Sequence, residues 1–510
     1  MKNSAHLLVS IVLYGITLFV VTQWRFPELD EIYFADAPAN LILNGQWKSH
    51  IAYSQFLYQP LHSFALLIWM LIFGVSHFSV CGFGTFLGWI SCVLAVNYAT
   101  DLKYIEKSWQ KLLLIVAFWA LNTFTDFETF GRPDNFGMLI TILIVYIYLK
   151  NSVLPKKQNI FLGLLLIFVG VYEIPVMLFF FVLMIIMNYK DKMTINLWCK
   201  NGLYFIVGVL LGELIVCSFF FFNQYTCFYR YIRYTFMSSM NANVSSYQGI
   251  FERLYDAYTA NWYITSIYLL FIIISAINKY KMNYIIALFI LFLPALMVLA
   301  GRFVPYYSWI YYIPLCVFII YTLKYKKIFA HVYVYLLVLS CIGYFVTQWY
   351  TTYGYQASTI IESQEIKHRC INYYEKNKKI IEKYDNVVLS EAQLYYDVIN
   401  GGCEVWFKYR NNVEYWLDTY NYKLMRYQLN SVTSEKGKKY RNHPLIGPLM
   451  NIYLKYNPEQ PYFPNKGICI YTCDEEREES LKFLAFFGYT FKCINKEGDY
   501  CIYEFSNNCF

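Results

Sequence analysis

Over the first 350 residues the apolar positions do not alternate with polar ones; they gather into long blocks joined by short polar links. Such blocks lie near residues 7–22, 61–76, 79–99, 111–124, 135–149, 160–171, 175–188, 201–222, 263–278, 283–300, 304–322 and 327–348. Runs such as LLVSIVLYGITLFVV, LYFIVGVLLGELIVCSFFFF and YIIALFILFLPALMVLA approach or reach the ~20 residues that a helix needs to cross a bilayer. The stretch 160–188 is nearly continuous, but Tyr172-Glu173-Ile174-Pro175 interrupts it. Proline loses a helical hydrogen bond, and a carboxylate is expensive at the midplane, so two short spans with a tight turn are predicted.

After about residue 350 the pattern changes. IESQEIKHRCINYYEKNKKIIEKY has the spacing of an amphipathic helix. NVVLS, CEVWF, GICIYTC, TFKCI and YCIYEF are short β-like runs, and CDEEREESLKFLAFF between two of them reads as helical. INKEGDY predicts a hairpin turn, with Gly498 free to take positive φ. The expected fold is therefore an α-helical multi-pass membrane domain over 1–350, then a small α/β or α+β domain over 351–510.

Composition agrees. Only 15% of residues are charged and 58% are hydrophobic, whereas soluble domains carry charge on roughly a quarter of positions. No small-residue cleavage site follows the first run, which reads as a retained anchor. The net charge of +8 is no nucleic-acid footprint, because many lysines sit in short loops between apolar runs. A groove for single strands would need a soluble platform with stacking aromatics, and none precedes the C-terminal region.

Loop lysines report orientation instead. Twelve full crossings would place the lysine-bearing loops after Asp101 outside, against the positive-inside bias. If 61–76 lies along the outer interface, Lys103, Lys107, Lys111, Lys150, Lys156 and Lys157 become cytoplasmic, as do the later loop lysines. This eleven-span arrangement puts the N-terminus inside and the C-terminal domain outside; twelve crossings is the simpler alternative. Segments 24–60, 123–134, the Glu173 turn, 223–262, GRFVPYY and the C-terminal domain then share one compartment. Seven of the fourteen cysteines fall in that domain. An exported location permits disulfides, and Cys469-x-x-x-Cys473 lacks the second ligand pair of a zinc finger, so disulfides or free thiols are expected there.

Three constellations on the outer side carry candidate chemistry. Asp30 and Glu31 follow the first span and can serve as a general base or hold a divalent metal; the plainer reading is solvation or capping of the next helix. Asp36, one turn further on, is left open between site and solvent. Arg132 and Asp134, in FTDFETFGRPDNFG, suit a phosphate, or else form an ordinary loop and helix start. Arg302, Tyr306 and Tyr307 in GRFVPYYSW can face phosphate or sugar, though Arg and Tyr also anchor interfaces. Glu173 is open in the same way, and His50 and His62 have no partner spacing that argues for metal.

In their order these pieces resemble the membrane glycosyltransferases of the GT-C superfamily, nearest the bacterial branch related to protein O-mannosyltransferases and aminoarabinose transferases. The carriers are LDEIYFADAPANLILNGQW, then YQPLHSFALLIWMLIFGVSHF, then FGRPDNFGMLITILI. The resemblance is good over about 8–190, loose over 191–350 and slight beyond. It implies an interfacial helix at 61–76 and a polyprenyl-phosphate-linked sugar donor used on the non-cytoplasmic side. It also implies Asp30 as catalytic base, Glu31 assisting it or binding metal, and Arg132, Arg302 and Tyr306 at the donor phosphate. An inverting transfer to a glycan, lipid or protein in the bacterial cell envelope follows, O-antigen modification among the options. Departures are the single proline of Gln59-Pro60-Leu61, Glu173 where many relatives carry lysine, and no arginine in FSVCGFGTFLG. Gln59, Glu173, Asp134 and Tyr307 stay as further candidate positions. The competing classes are a lipid-linked saccharide flippase, a polymerase or ligase working through 223–262, and a membrane anchor without activity.

Overall fold

The computed structural model describes residues 5–24, 27, 29–47, 49, 60–103, 105–123, 131–150, 155–167, 194–220, 251–252, 254–255, 357–407, 464–472, 481 and 489–507. Its N-terminal helical part contains α1 (Ala5–Trp24), α2 (Leu29–Asn44), α3 (Pro60–Phe73), α4 (His77–Asp101), α5 (Ser108–Thr123), α6 (Asp134–Lys150), α7 (Lys156–Leu166) and α8 (Ile195–Phe220). Apart from α2, these follow the apolar blocks closely. The predicted spans at 175–188, 263–278, 283–300, 304–322 and 327–348 lie outside the described residues.

By length and composition, α4 and residues Asn196–Val216 of α8 can cross a membrane; Ala5–Phe19, Leu61–Phe73 and Asp134–Ile147 are shorter apolar stretches. Leu8, Ile11, Ile16 and Phe19 of α1, and Leu203, Leu210 and Leu214 of α8, are exposed. Such apolar outer faces suit hydrocarbon surroundings. Inside the bundle, polar groups tie the helices together. Trp89 Nε1 donates to Ser10 Oγ at 3.0 Å, Trp119 Nε1 to Thr17 Oγ1 at 3.0 Å, and Asn135 Nδ2 to the Gly84 carbonyl at 2.9 Å. These join α1 to α4, α1 to α5, and α4 to α6. Helices α7 and α8 meet backbone to backbone: a Cβ on Gly163 would lie 2.0 Å from the Phe205 carbonyl, and one on Gly208 2.0 Å from that of Ile160.

Segment 24–60, expected as an outer loop, contains the sixteen-residue helix α2 with Pro38 in its interior. Proline has no proton for the Phe34 carbonyl four residues back, a loss that normally weakens a helix. Here Ser63 Oγ, from α3, donates to that carbonyl at 3.4 Å. The chain then turns sharply. Gly74 (φ +82) closes α3, and the Ser76 side chain caps α4 by accepting from Ser79 N at 3.1 Å.

The C-terminal part contains α9 (Ala357–Ile381), β1 (Asn386–Leu389), a short 3-10 turn at Ala392–Leu394, α10 (Tyr395–Asn400), β2 (Glu404–Phe407), β3 (Lys466–Thr472), β4 (Tyr489–Glu497) and β5 (Tyr500–Asn507). All five β-like runs are strands. The sheet order is β2-β1-β3-β5-β4, with β1 parallel to β2 and β3, and β5 antiparallel to β3 and β4. Gly498 turns the β4–β5 hairpin at φ +58. The predicted helix in CDEEREESLKFLAFF lies almost wholly outside the described residues. Cys501 is disulfide-bonded, while Cys370, Cys403, Cys469 and Cys493 are free thiols.

The sheet domain does not stand apart from the helices. One hydrophobic core runs from Ile32, Phe34, Leu66 and Met70 into Tyr395, Val398, Val405 and Ile470. Asn400 Nδ2 donates to the Val75 carbonyl at 3.0 Å, and Lys367 Nζ to the Thr22 carbonyl at 3.4 Å. The domain is thus seated where α1 ends and α4 begins. At the far ends of α4 and α6, Lys150 pairs with Asp101 at 2.8 Å, and the connection beyond Asp101 carries Lys103 and Lys107.

Candidate active site

The seated domain covers the acids of α2. Glu31 and Asp36 are both fully buried. Glu31 Oε1 accepts from the Tyr396 hydroxyl at 2.7 Å and lies 2.9 Å from His77 Nδ1. Asp36 Oδ1 accepts from the Tyr395 hydroxyl at 2.7 Å and from Asn40 Nδ2 at 3.2 Å. Successive positions of α10 therefore serve two acids about a turn and a half apart on α2. Burial first, and the neighbouring carboxylates second, hold both phenols well above their ordinary pKa, so each remains a proton donor. Asp36, left open between site and solvent, proves to be an interior acid.

The third side of the site is the turn before α6. A Cβ added to Gly131 would sit 2.3 Å from Glu31 Cγ, so only glycine lets this turn pack on the carboxylate. Next to it, Arg132 Nε donates to Asp134 Oδ2 at 3.2 Å, both side chains being buried. Two of the three constellations named from sequence thus meet. Asp30 occupies the second position of α2, and its side chain lies outside the described part of the structure. Gln59, Glu173, Arg302, Tyr306 and Tyr307 lie outside the described residues.

Several residues at the site escaped the sequence reading. His77 and Cys81 lie four positions apart in the first turn of α4, on one face, with Cys81 Sγ 3.7 Å from His77 Nδ1. The His-x-x-x-Cys spacing beside a serine cap was the available signal. Nothing local marks Tyr395 or Tyr396. His62, by contrast, is a core residue ringed by Phe34, Phe83 and Phe136 at 5.5–6.1 Å. Glu31, His77 and Cys81 are the described residues whose donor atoms converge enough for a metal ion.

A cavity of about 490 Å³ opens beside the site, between α1, the start of α4, α9 and α10. Leu18, Phe19 and Phe78 make its apolar wall; His77, Lys367 and Tyr396 are among its polar lining. Asp397 also lines it, its carboxyl raised above the usual value by burial and by Glu375, with Lys367 opposing.

The described parts define a helical bundle with apolar outer faces, capped by a mixed-sheet domain that closes over buried carboxylates. No family model matches the chain, and no curated protein matches it either. Among solved structures, it is similar to the crystal structure of ArnT from Cupriavidus metallidurans bound to undecaprenyl phosphate, at 10% identity and a TM-score of 0.42 over 98% of each chain. At that TM-score neither an activity nor any residue's role passes from it to this chain.

Proposed function

We propose that this chain is a membrane glycosyltransferase of the GT-C kind, moving a hexose or pentose from a polyprenyl-phosphate-linked donor to an extracytoplasmic acceptor. The observation that carries the reading is the packing of Glu31 on α2 against the Gly131–Asp134 turn, with Tyr396 donating to the same carboxylate.

In this reading Asp30 takes the proton from an acceptor hydroxyl or amine as that group attacks the anomeric carbon. The bond from that carbon to the donor phosphate breaks, and the lipid phosphate departs with the charge. Arg132 receives that charge, with Arg302 and Tyr306 completing the phosphate site. A single displacement inverts the anomeric centre. Glu31, whose Oε1 faces Tyr396 and His77, positions the α2 acids instead of exchanging protons. The apolar wall at Leu18 and Phe19 suits a prenyl chain entering from the bilayer, and Lys367 suits its anionic head. The bundle is set in a bacterial inner membrane, with the N-terminus and loop lysines cytoplasmic and the sheet domain outside. The acceptor is a glycan, lipid or protein of the envelope.

The test incubates the purified chain with a panel of polyprenyl-phosphate sugars and measures released lipid phosphate. Release by the wild type, abolished in Asp30→Asn with membrane insertion intact, is expected. Full activity in Asp30→Asn removes the base assignment. Loss of activity only through changes in 223–262 points instead to a polymerase or ligase.

A further inference from the structure

We propose that Glu31, His77 and Cys81 form a binding site for a transition-metal ion, of the class that Zn²⁺ fills. One ligand atom from each residue lies within 4.8 Å of the others, and all three residues are buried or nearly so. The separations are those of a coordination shell. With metal bonds of about 2.0–2.3 Å to O, N and S, tetrahedral ligand atoms sit about 3.3–3.6 Å apart. His77 Nδ1 is 2.9 Å from Glu31 Oε1 and 3.7 Å from Cys81 Sγ, so small adjustments close the shell around an ion.

A second observation points to a ligand. Glu31 Oε2 is fully buried and has no hydrogen-bond partner among the described residues. A carboxylate oxygen removed from water without a donor is costly, and interiors rarely tolerate one. A cation bound by this carboxylate offsets that penalty. Cys81 is likewise a free thiol beside an imidazole, and a bound metal would take it as thiolate.

The donor set selects the metal. Magnesium and calcium want oxygen ligands, whereas one oxygen, one nitrogen and one sulfur suit zinc or cobalt. Three protein ligands leave a fourth position open, the hallmark of an ion that acts on something exchangeable. His77 also lines the cavity, so one ligand of the site is at the cavity wall. Tyr396, donating to Glu31 Oε1 at 2.7 Å, holds the carboxylate in place from the sheet domain. The sheet domain thereby supplies the outer support for a site whose ligands come from α2 and α4. This inference does not rest on the transferase reading.

The test is a Co²⁺ titration of the full-length protein in detergent after metal stripping, with the exposed Cys199 and Cys493 replaced by serine. About one Co²⁺ per chain is expected, with a sulfur-to-cobalt band in the near ultraviolet, tetrahedral bands in the visible, and displacement by Zn²⁺. Cys81→Ser should abolish the sulfur band, and His77→Gln and Glu31→Gln should weaken binding at least tenfold. Tyr396→Phe should keep the band while weakening affinity about 10-fold, as loss of an outer support does. Gel-filtration and thermal profiles of each variant show that it is folded. A wild type giving no sulfur band, or a band that survives Cys81→Ser, overturns the proposal. The readout is metal binding, so an inactive protein that binds cobalt refutes the transferase reading alone.

Discussion

Asp101 and Glu31 lie toward opposite ends of the bundle. Asp101 is half-exposed and meets Lys150, equally exposed, at 2.8 Å. Glu31 is wholly buried, held by a phenol and an imidazole, with one oxygen unsatisfied among the described residues. Water and salt compete with the first arrangement and make it worth little. Nothing competes with the second, so every donor it has or lacks counts. Folding gains nothing from burying a half-satisfied acid, whereas a binding site needs one. The contrast therefore separates an acid that water can satisfy from one that depends wholly on its protein partners.

The largest effect should come from Glu31→Ala. It strands the Tyr396 hydroxyl and the His77 ring in a closed interior, and removing one partner of such a buried set costs about 3–5 kcal/mol. Thermal unfolding in detergent measures the loss, and limited proteolysis should show the sheet domain released first. Stability like that of the wild type would mean that water reaches this site and that the two ends are alike.

Next come the phenols. Tyr395→Phe leaves Asp36 with Asn40, and Tyr396→Phe leaves Glu31 with His77. Each lost hydrogen bond to a buried carboxylate is worth about 1.5–3 kcal/mol. The changes lie in the sheet domain but should loosen its seat on α2. A double-mutant cycle of Tyr395→Phe with Asp36→Asn should show coupling; additive effects would place the seat's strength in the apolar core alone.

How much of this was visible beforehand follows from the reach of each interaction. The strands showed as short apolar runs and the hairpin as a glycine turn, because both are written within a few residues. Helices α1, α4, α5, α6 and α8 showed by sheer apolar length. Helix α2 was legible only as the next helix after Asp30 and Glu31, and not in its extent, because its stability comes from packing and from Ser63 covering the gap left by Pro38. Asp30, Glu31, Arg132 and Asp134 stood out as charges at the edge of apolar blocks. Their supports did not. His77 is 46 positions from Glu31, and Tyr396 is 365, so no local pattern links them. Asp36 was undecided for the same reason, because Tyr395, which buries and binds it, is 359 positions away and Asn40 alone does not mark it as interior.

Asp397 sharpens the comparison with an acid at the buried end that is penalised by its surroundings. Burial and Glu375 raise its carboxyl pKa in the folded state. The folded chain then binds this proton more tightly than the unfolded one. Its contribution to stability is complete below about pH 4 and is lost as pH rises through the raised value. Asp397→Asn cannot lose it. The variant should be more stable than the wild type at pH 7, the two converging below about pH 4. Unfolding midpoints across that range decide; a constant offset would mean that the residue acts through packing.

The smallest effect belongs to the exposed end. Asp101→Asn with Lys150→Met removes the ion pair, and water satisfies the exposed amide and the Tyr146 hydroxyl that the pair had engaged. Tyr98 and Tyr146 still stack at 3.6 Å between centroids, so α4 and α6 stay joined there. Thermal stability should stay within measurement error of the wild type at moderate salt, and lipid-phosphate release should be unchanged. Lys150 also closes a helix that starts at the Gly131–Asp134 turn, so movement of α6 would reach Glu31. A fall in release with stability intact would therefore mean that the two ends communicate through α6, and the contrast between the two acids would fail.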